Sequence, residues 1–381
     1  MAEITLKKPI EKVERELMGC VRCGYCLEGC PTFDYYGLES ATARGRLRIT
    51  LSMLKDQLEL NDFAMKRIFQ CFFCSHCEVV CPAGLKIVDA LNAARIGMVS
   101  SGKVVIPETI TTAIQNLNKT GNPYGKPLVE RARWIPTNVT ISQGSSTIYY
   151  PGCTAAYVEQ PIAQASAEAL QASGVKFAVL GEKEYCCSGF ALWAGYKDVY
   201  DNVVEKARES FISAGTQELA VSCAACYHVF NQHLKKEGPR VVHTAQLFAE
   251  LLDQGKLKFP GRFEATATYH DPCHLGRQEE VYEEPRKVLE NIPGLKFVEM
   301  GRNRKKAECC GGGAGVAGTA FPIPSLDRGE WRVREAIDAG ANAIVSTCPF
   351  CYRFLTLAAK RRRLPIKVYD LNQVINQASK G

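Results

Sequence analysis

The sequence is poor in the residues on which most active sites are built, with 6 histidines, 6 methionines and 3 tryptophans in 381 residues. No uncharged apolar run reaches the ~18 residues a membrane-spanning helix needs. The opening stretch, MAEITLKKPIEKVERELMGC, is charged and lacks the apolar core of a secretory signal, so a reducing cytosol is the expected compartment. There is no G-x-x-x-x-G-K-[ST] loop, hence no P-loop phosphate site, and no C-x-x-C-H, hence no covalent haem. Lys and Arg total 47 against 40 Asp and Glu, a net +7 that is too small over this length to argue for nucleic acid. Apolar residues at 46% and charged residues at 23% exclude a disordered, collagen-like or coiled-coil chain. The length fits roughly two to three domains.

What is abundant is cysteine, 18 in all. In a reducing compartment thiols in such number point to metal ligands more than to bridges. They fall into three groups: eight between Cys20 and Cys81, five between Cys153 and Cys226, five between Cys273 and Cys351.

The first group holds two copies of one run. Cys20-x2-Cys23-x2-Cys26-x3-Cys30-Pro31 is followed by Cys71-x2-Cys74-x2-Cys77-x3-Cys81-Pro82. This is the bacterial ferredoxin spacing for two [4Fe–4S] cubanes, in which the fourth cysteine of each run ligates the other cluster. The spacing predicts one cubane on Cys20, Cys23, Cys26 and Cys81, and a second on Cys71, Cys74, Cys77 and Cys30. Zinc sites favour C-x2-C pairs separated by longer loops and do not end in Cys-Pro. Between the runs, 47–60 and 63–69 have helical apolar spacing, so a small helical carrier is expected, not the compact βαβ ferredoxin fold. Arg44, Arg46 and Arg48 lie there, either to offset cluster charge or as a solvated face.

The other ten cysteines form an internal repeat. Cys153, after 32 residues Cys186-Cys187, and after 35 more Cys223-x2-Cys226 is matched by Cys273, after 35 residues Cys309-Cys310, and after 37 more Cys348-x2-Cys351. The match extends to TIYYPGC with TATYHDPC, VKFAVL with LKFVEM, CCSGF with CCGGG, and LAVSCAAC with AIVSTCPFC. Each repeat reads as alternating short strands and helices, with helices expected over 155–173 and 197–214, which argues for small parallel α/β units. In such sheets ligands gather beyond the carboxyl ends of the strands, and the cysteines follow IYY, FAVL and LAVS there. The five sulfurs of one repeat can therefore converge. Gly311, Gly312 and Gly313 would let backbone approach a bulky inorganic core.

The lone Cys, adjacent Cys-Cys pair and C-x2-C together make the "CCG" cysteine-rich motif, the last gap of the second repeat being slightly longer than the family pattern. A two-cubane domain followed by two such motifs resembles the D subunit of heterodisulfide reductase, equally a fusion of that enzyme's C and B subunits, and more loosely the iron–sulfur subunit of glycolate oxidase. The resemblance covers about residues 15 to 375. Asn122-Pro123-Tyr124-Gly125 with Arg131, Arg133 and Trp134 leans to the heterodisulfide reductase side. It implies an α/β architecture with four parts: an N-terminal helical ferredoxin-like domain over 1–100, a surface connection over 101–146, and two pseudo-symmetric parallel CCG domains over 147–258 and 259–381. It implies that each complete CCG motif binds a noncubane [4Fe–4S] cluster through five thiolates, with a disulfide substrate split between the two. The cofactors are then two cubanes and two noncubane clusters. The implied enzyme is an oxidoreductase acting on sulfur groups. The implied setting is a multi-subunit complex with a cytochrome b membrane subunit or a flavoprotein subunit, cytoplasmic and peripheral at the membrane face. The alternatives are an electron-transfer subunit of an FAD-linked 2-hydroxyacid oxidase or a flavoprotein-to-quinone relay.

His270 and His274 flank Cys273 and are candidate proton donors to departing thiolates, titrating near physiological pH, or ordinary loop histidines. His228 is equally ambiguous. Basic runs at 302–306 and 360–363 would attract an anionic thiol substrate, an acidic partner or headgroups, or simply face solvent.

Overall fold

A computed structural model describes residues 2–380. The segment between the two ferredoxin runs is helical, as its apolar spacing predicts. Thr42 caps a helix over Ala43–Leu54 by accepting from Gly45 N (3.1 Å), and Asn61 caps Asp62–Phe69 by accepting from Ala64 N (3.0 Å). The first of these stops at Leu54, short of the expected residue 60. Helices Ala2–Glu11 and Ile87–Ser101 pack against each other and complete this all-helical domain.

The first repeat forms a parallel sheet of β1 (Thr147–Tyr150), β2 (Glu218–Val221) and β3 (Arg240–His243) in that order. The second has β4 (Ala265–His270), β5 (Leu295–Phe297), β6 (Ala343–Ser346) and β7 (Lys367–Asp370) in the order β5-β4-β6-β7. The FAVL stretch expected as a strand in the first repeat is reduced to one parallel bridge, Ile148 to Ala178, at the place β5 occupies in the second. The expected helix over 155–173 is divided into Gly152–Tyr157 and Gln160–Ala172, with Pro161 at the start of the latter; the helix expected over 197–214 runs Lys197–Ser213.

Both faces of each sheet are covered, as parallel sheets require. Along β1 and β2 the side chains alternate between two cores: Ile148, Tyr150, Leu219 and Val221 face one, Tyr149 and Ala220 the other. That second core is shared with Ala267, Tyr269, Ala343 and Val345 of the second sheet. Its helices pack reciprocally. Gln160–Ala172, the long first helix of repeat one, lies on Leu371–Ala378, the last of repeat two. Thr244–Asp253, the last of repeat one, lies on Glu283–Glu290 of repeat two. This is the exchange a pseudo-twofold axis produces. Tyr149 and Tyr269 match across it, Tyr149 Oη sharing a hydrogen bond with Ser222 Oγ (3.1 Å) and Tyr269 Oη with Thr347 Oγ1 (2.7 Å).

The stretch 101–146 is more than a surface connection. It carries a helix over Glu108–Thr120 with Ile110, Ile114 and Leu117 buried, and Asn122, Arg131 and Trp134 are buried beyond it. Gly121 ends that helix at φ +69°, and its carbonyl accepts from Cys186 N (2.9 Å), tying the segment to the first Cys-Cys pair.

Candidate iron–sulfur centres and the cavity between the repeats

All eighteen cysteines are free thiols. Those of the helical domain line two separate hollows. Cys20, Cys23, Cys26 and Cys81 surround one, with Arg44 and Leu47; Cys30, Cys71, Cys74 and Cys77 surround the other, with Arg46. Each quartet thus takes three sulfurs from one run and the pre-proline sulfur of the other run. The backbone repeats with the sequence: Arg22 and Gly24, two and four residues after Cys20, have positive φ, and so do Phe73 and Ser75 after Cys71. These turns point successive sulfurs inward. Arg44 pairs with the Glu39 carboxylate (2.9 Å) on the rim. Arg46 is buried and donates to Arg67 O and Thr32 Oγ1.

The ten remaining cysteines line one cavity, where the carboxyl ends of both sheets meet. Its free volume of about 120 Å³ is several times the ~30 Å³ share of a water molecule, so it is a cavity and not a packing defect. Cys223 and Cys348, the matching first cysteines of the two C-x2-C pairs, lie close enough across the repeats to shift one another's pKa. Within each repeat the pattern is the same: the Cys187 sulfur interacts with Cys186 and Cys226, and the Cys310 sulfur with Cys309 and Cys351. Hydrogen bonds from those neighbours pull the Cys187 and Cys310 thiols down, while burial pushes Cys153 and Cys273 up. In the helical domain burial, followed by Cys71, pushes up Cys77. Buried thiolates in such density need a cation among them, and soft sulfur donors in quartets and quintets fit an iron–sulfur core.

Glycine enters differently from the expectation. A Cβ on Gly311 would lie 2.0 Å from Ser325 O, so that residue serves helix packing. Gly312 and Gly152 are the positions that face sulfur, their Cβ atoms falling 3.4 Å from Cys310 Sγ and 3.2 Å from Cys226 Sγ.

The two histidines part company. His274 lines the cavity, its ring against Trp193 (centroids 4.4 Å apart) and its Nδ1 3.5 Å from Cys273 Sγ. Burial, with His228 beside it, holds its pKa down to about 3, which favours the neutral ring. His270 does not line the cavity. It is buried, Arg332 Nε donates to its Nδ1 (3.1 Å), and its ligand atom lies within 4.8 Å of those of Cys310 and Cys351. His228 Nδ1 meets Glu279 Oε1 (2.5 Å) across the repeats; although burial opposes it, that contact with those from Gln232 and Asn231 lowers the Glu279 pKa. The basic runs are largely neutralised: Arg302 and Arg304 pair with Glu308, Glu335, Glu283 and Glu299, Lys305 with Glu280, and Arg361 and Arg362 with Asp327 and Glu330.

Several contributors lie outside the cysteine motifs. Arg131 is fully buried behind Cys153, donating to its Sγ (3.0 Å) and to Glu184 Oε1 (2.5 Å). Phe190, Phe350 and Tyr124 complete the cavity wall. Phe190 and Phe350 each lie within three residues of a motif cysteine, a proximity the sequence did display. The second hollow adjoins the second repeat. Phe72, Cys74, Cys309 and Ala317 form one buried cluster with Cys273 packed against it. Arg277 Nη1 donates to Cys74 O (2.9 Å), and Gln278 Nε2 to Ser75 Oγ (2.9 Å).

Residues 147–231 and 267–356 match the CCG cysteine-rich domain, and 19–86 match a 4Fe–4S dicluster domain. The chain is similar to the D subunit of dihydromethanophenazine:CoB–CoM heterodisulfide reductase from Methanosarcina barkeri, 35% identical over 95% of this chain and 94% of the relative. It is also similar to the B subunit of fumarate reductase (CoM/CoB) from Methanothermobacter marburgensis (27% identical; 96% and 73% covered) and to EtfAB:quinone oxidoreductase of Syntrophomonas wolfei (25%; 95% and 58%). None of the described helices is long and apolar enough to cross a membrane. The ferredoxin-type domain, the doubled cysteine-rich domain and identity along nearly the whole chain place this protein among the iron–sulfur oxidoreductases of the heterodisulfide reductase D-type family.

Proposed function

We propose that this chain is the disulfide-reducing subunit of a multi-subunit redox complex. In this reading Cys20, Cys23, Cys26 and Cys81 hold one cubane and Cys71, Cys74, Cys77 and Cys30 another. Cys153, Cys186, Cys187, Cys223 and Cys226 hold one noncubane [4Fe–4S] cluster, and Cys273, Cys309, Cys310, Cys348 and Cys351 the other. The observation that carries the reading is that both complete cysteine sets line one cavity, with Cys223 and Cys348 in contact across it. Clusters held by these two sets of cysteines would supply electrons one at a time to a disulfide. The overall reaction is RSSR′ + 2e⁻ + 2H⁺ → RSH + R′SH. The chain's own residues shape the rest. The exposed Cys23 marks the face where a partner, a cytochrome b or a flavoprotein, would deliver electrons. The contact of Cys74 with Cys273 and Cys309 favours passage from the second cubane site to the second repeat. His274, neutral and lining the cavity, is suited to relay a proton, releasing one from one ring nitrogen while taking another at the second. Docking through such a partner would hold the chain at the cytoplasmic face of a membrane.

An anaerobic EPR titration with disulfides tests this. A disulfide-dependent paramagnetic state that disappears in Cys187→Ala while both cubane signals remain supports it. Absence of that state with every disulfide tried favours the other reading, an electron relay between a flavoprotein and quinone or beside a 2-hydroxyacid oxidase. The similarity to EtfAB:quinone oxidoreductase is what keeps that relay in view.

A further inference from the structure

One cation outside the cysteine motifs stands at the joint between the second cubane site and the second repeat. Arg277 follows Cys273 in the short helix Gly276–Glu279. Its Nε donates to Lys305 O (2.9 Å), its Nη1 to Cys74 O (2.9 Å) and its Nη2 to Ala307 O. A single guanidinium thus clips the backbone of a proposed cubane ligand to the segment leading into Cys309-Cys310. Gln278 adds a link beside it, Nε2 donating to Ser75 Oγ (2.9 Å).

The three acceptors are neutral carbonyls. Among the described residues no carboxylate pairs with Arg277, whereas its cationic neighbours are matched: Arg328 by Asp34 and Glu308, Arg302 by Glu308 and Glu335, Lys305 by Glu280. The charge of Arg277 is therefore left to act on sulfur. Burial pushes up the Cys74 and Cys273 thiols, at Cys273 with help from Cys310 and Cys74, and Arg277 opposes the rise at both. The sulfurs lie in an apolar setting. Phe72, Cys74, Cys309 and Ala317 are buried together with Cys273 packed against them, and a Cβ on Gly313 would fall 2.8 Å from the Phe72 ring. With water kept out of that cluster, a nearby charge is less screened than at the surface.

The first repeat is built otherwise. Tyr157 stands at the position that matches Arg277, and its hydroxyl donates to Pro127 O (3.3 Å). The arginine that does reach a sulfur there, Arg131, is paired with Glu184.

We propose that Arg277 is a positioning residue for electron transfer between the second cubane site and the second repeat: its charge raises the reduction potentials of both centres together, and its hydrogen bonds fix their separation. This rests on the cluster assignments of the reading above and not on the disulfide. One electron leaves the cluster on Cys71, Cys74, Cys77 and Cys30, and one enters the cluster on Cys273, Cys309, Cys310, Cys348 and Cys351. No bond forms or breaks, and the guanidinium keeps its proton. Because the cation acts on both sides, moving the electron across changes its interaction with Arg277 little, and the two potentials stay matched.

The test uses anaerobically reconstituted holoprotein with no disulfide present. Redox titrations followed by EPR and Mössbauer spectroscopy give the potential of each cluster, with Cys30→Ser and Cys310→Ser assigning the signals of the two adjacent centres. Rapid freeze-quench after mixing with reduced methyl viologen gives the rate at which the second-repeat cluster fills. Arg277→Gln is expected to lower the potentials of the two adjacent centres, leave the other two clusters unchanged, and slow the filling at least ~10-fold. Arg277→Lys keeps the charge without the planar fork, so it should hold the potentials and still slow the transfer. Gln278→Ala, which breaks the neighbouring link and removes no charge, should leave every potential in place. If either adjacent centre keeps its potential in Arg277→Gln, or all clusters shift equally, the proposal falls and disulfide reduction stands. If Arg277→Gln takes up no iron, Arg277→Lys decides, and an unchanged transfer rate overturns the proposal. A second repeat that binds no cluster in the unmodified protein overturns the proposal and the disulfide-reducing reading together.

Discussion

Arg131 Nη1 stands 3.0 Å from Cys153 Sγ, with the other edge of the guanidinium on Glu184. Among the described residues no arginine hydrogen-bonds to Cys273 Sγ, the matching sulfur of the second repeat, which meets His274 instead. The residue matching Tyr150, whose hydroxyl donates to Tyr185 O, is His270, held by Arg332 and close to Cys310. The two repeats therefore surround equivalent sulfurs with different charges. Burial works against the Arg131 charge, yet Cys153 and then Glu184 keep the guanidinium firmly protonated.

Arg131→Gln leaves Glu184 buried without its partner and is expected to cost about 3–5 kcal/mol in a denaturant titration. It should also lower the midpoint potential of the cluster proposed for the first repeat, because a cation leaves its ligand sulfur. The double variant Arg131→Gln/Glu184→Gln should regain most of the stability and none of the potential. A potential unchanged in both variants, followed by EPR, would refute the electrostatic role.

The two ferredoxin runs exchange their pre-proline sulfurs between separate hollows, which makes the proposed cubane ligands testable one by one. Cys81→Ser is expected to abolish the EPR signal of the cluster on Cys20, Cys23 and Cys26, and Cys30→Ser that of the cluster on Cys71, Cys74 and Cys77. Loss of the opposite signals would mean that each run closes on itself.

Arg95 joins the helical domain to the first repeat. It donates to the carbonyls of Ile68, Phe69, Cys71 and Trp193, and its guanidinium lies 3.9 Å from the Phe73 ring centroid. Burial lowers its pKa to about 9, opposed by Cys71. Arg95→Met strands buried carbonyls and is expected to cost at least ~3 kcal/mol by chemical denaturation. Arg95→Lys should rescue little, since an ammonium cannot span that fork. Dismantling the clusters proposed for the helical domain by anaerobic chelation would replace the thiolate at Cys71 with a neutral thiol and should lower the melting temperature of the unmodified protein more than that of Arg95→Met.

Two buried caps make stability depend on pH in opposite directions. His243 and Asp370 cap the last helix of each repeat, and both are fully buried. Burial raises Asp370 to about 8, consistent with an Oδ2 that lacks a partner. Its contribution is complete below the unfolded pKa of ~3.9 and is lost as pH rises through about 8. Burial lowers His243 to about 4, so its contribution is complete above ~6.5 and is lost as pH falls through about 4. Asp370→Asn should therefore gain stability over the unmodified protein at pH ~8.5 and little at pH ~5. Denaturant midpoints at the two values decide this, and an equal difference at both would refute it.

Much of this was present in the order of residues. Two runs of four cysteines and two of five, each at a repeating interval, set the ligand chemistry and the doubled α/β architecture, because backbone geometry ties such spacings to turns and strand ends. The sequence did not reveal that FAVL keeps only a single bridge, that 101–146 carries a buried helix, or that the basic runs meet carboxylates, since each depends on what lies opposite. Arg131 comes 22 residues before Cys153 and 53 before Glu184, and only the packing of three separate segments brings them together. The charge of the cavity wall is likewise a tertiary property. A lysine or arginine near a cysteine in the chain can turn toward a carboxylate or a carbonyl instead, and here Arg131, Arg277 and Arg353 all do so.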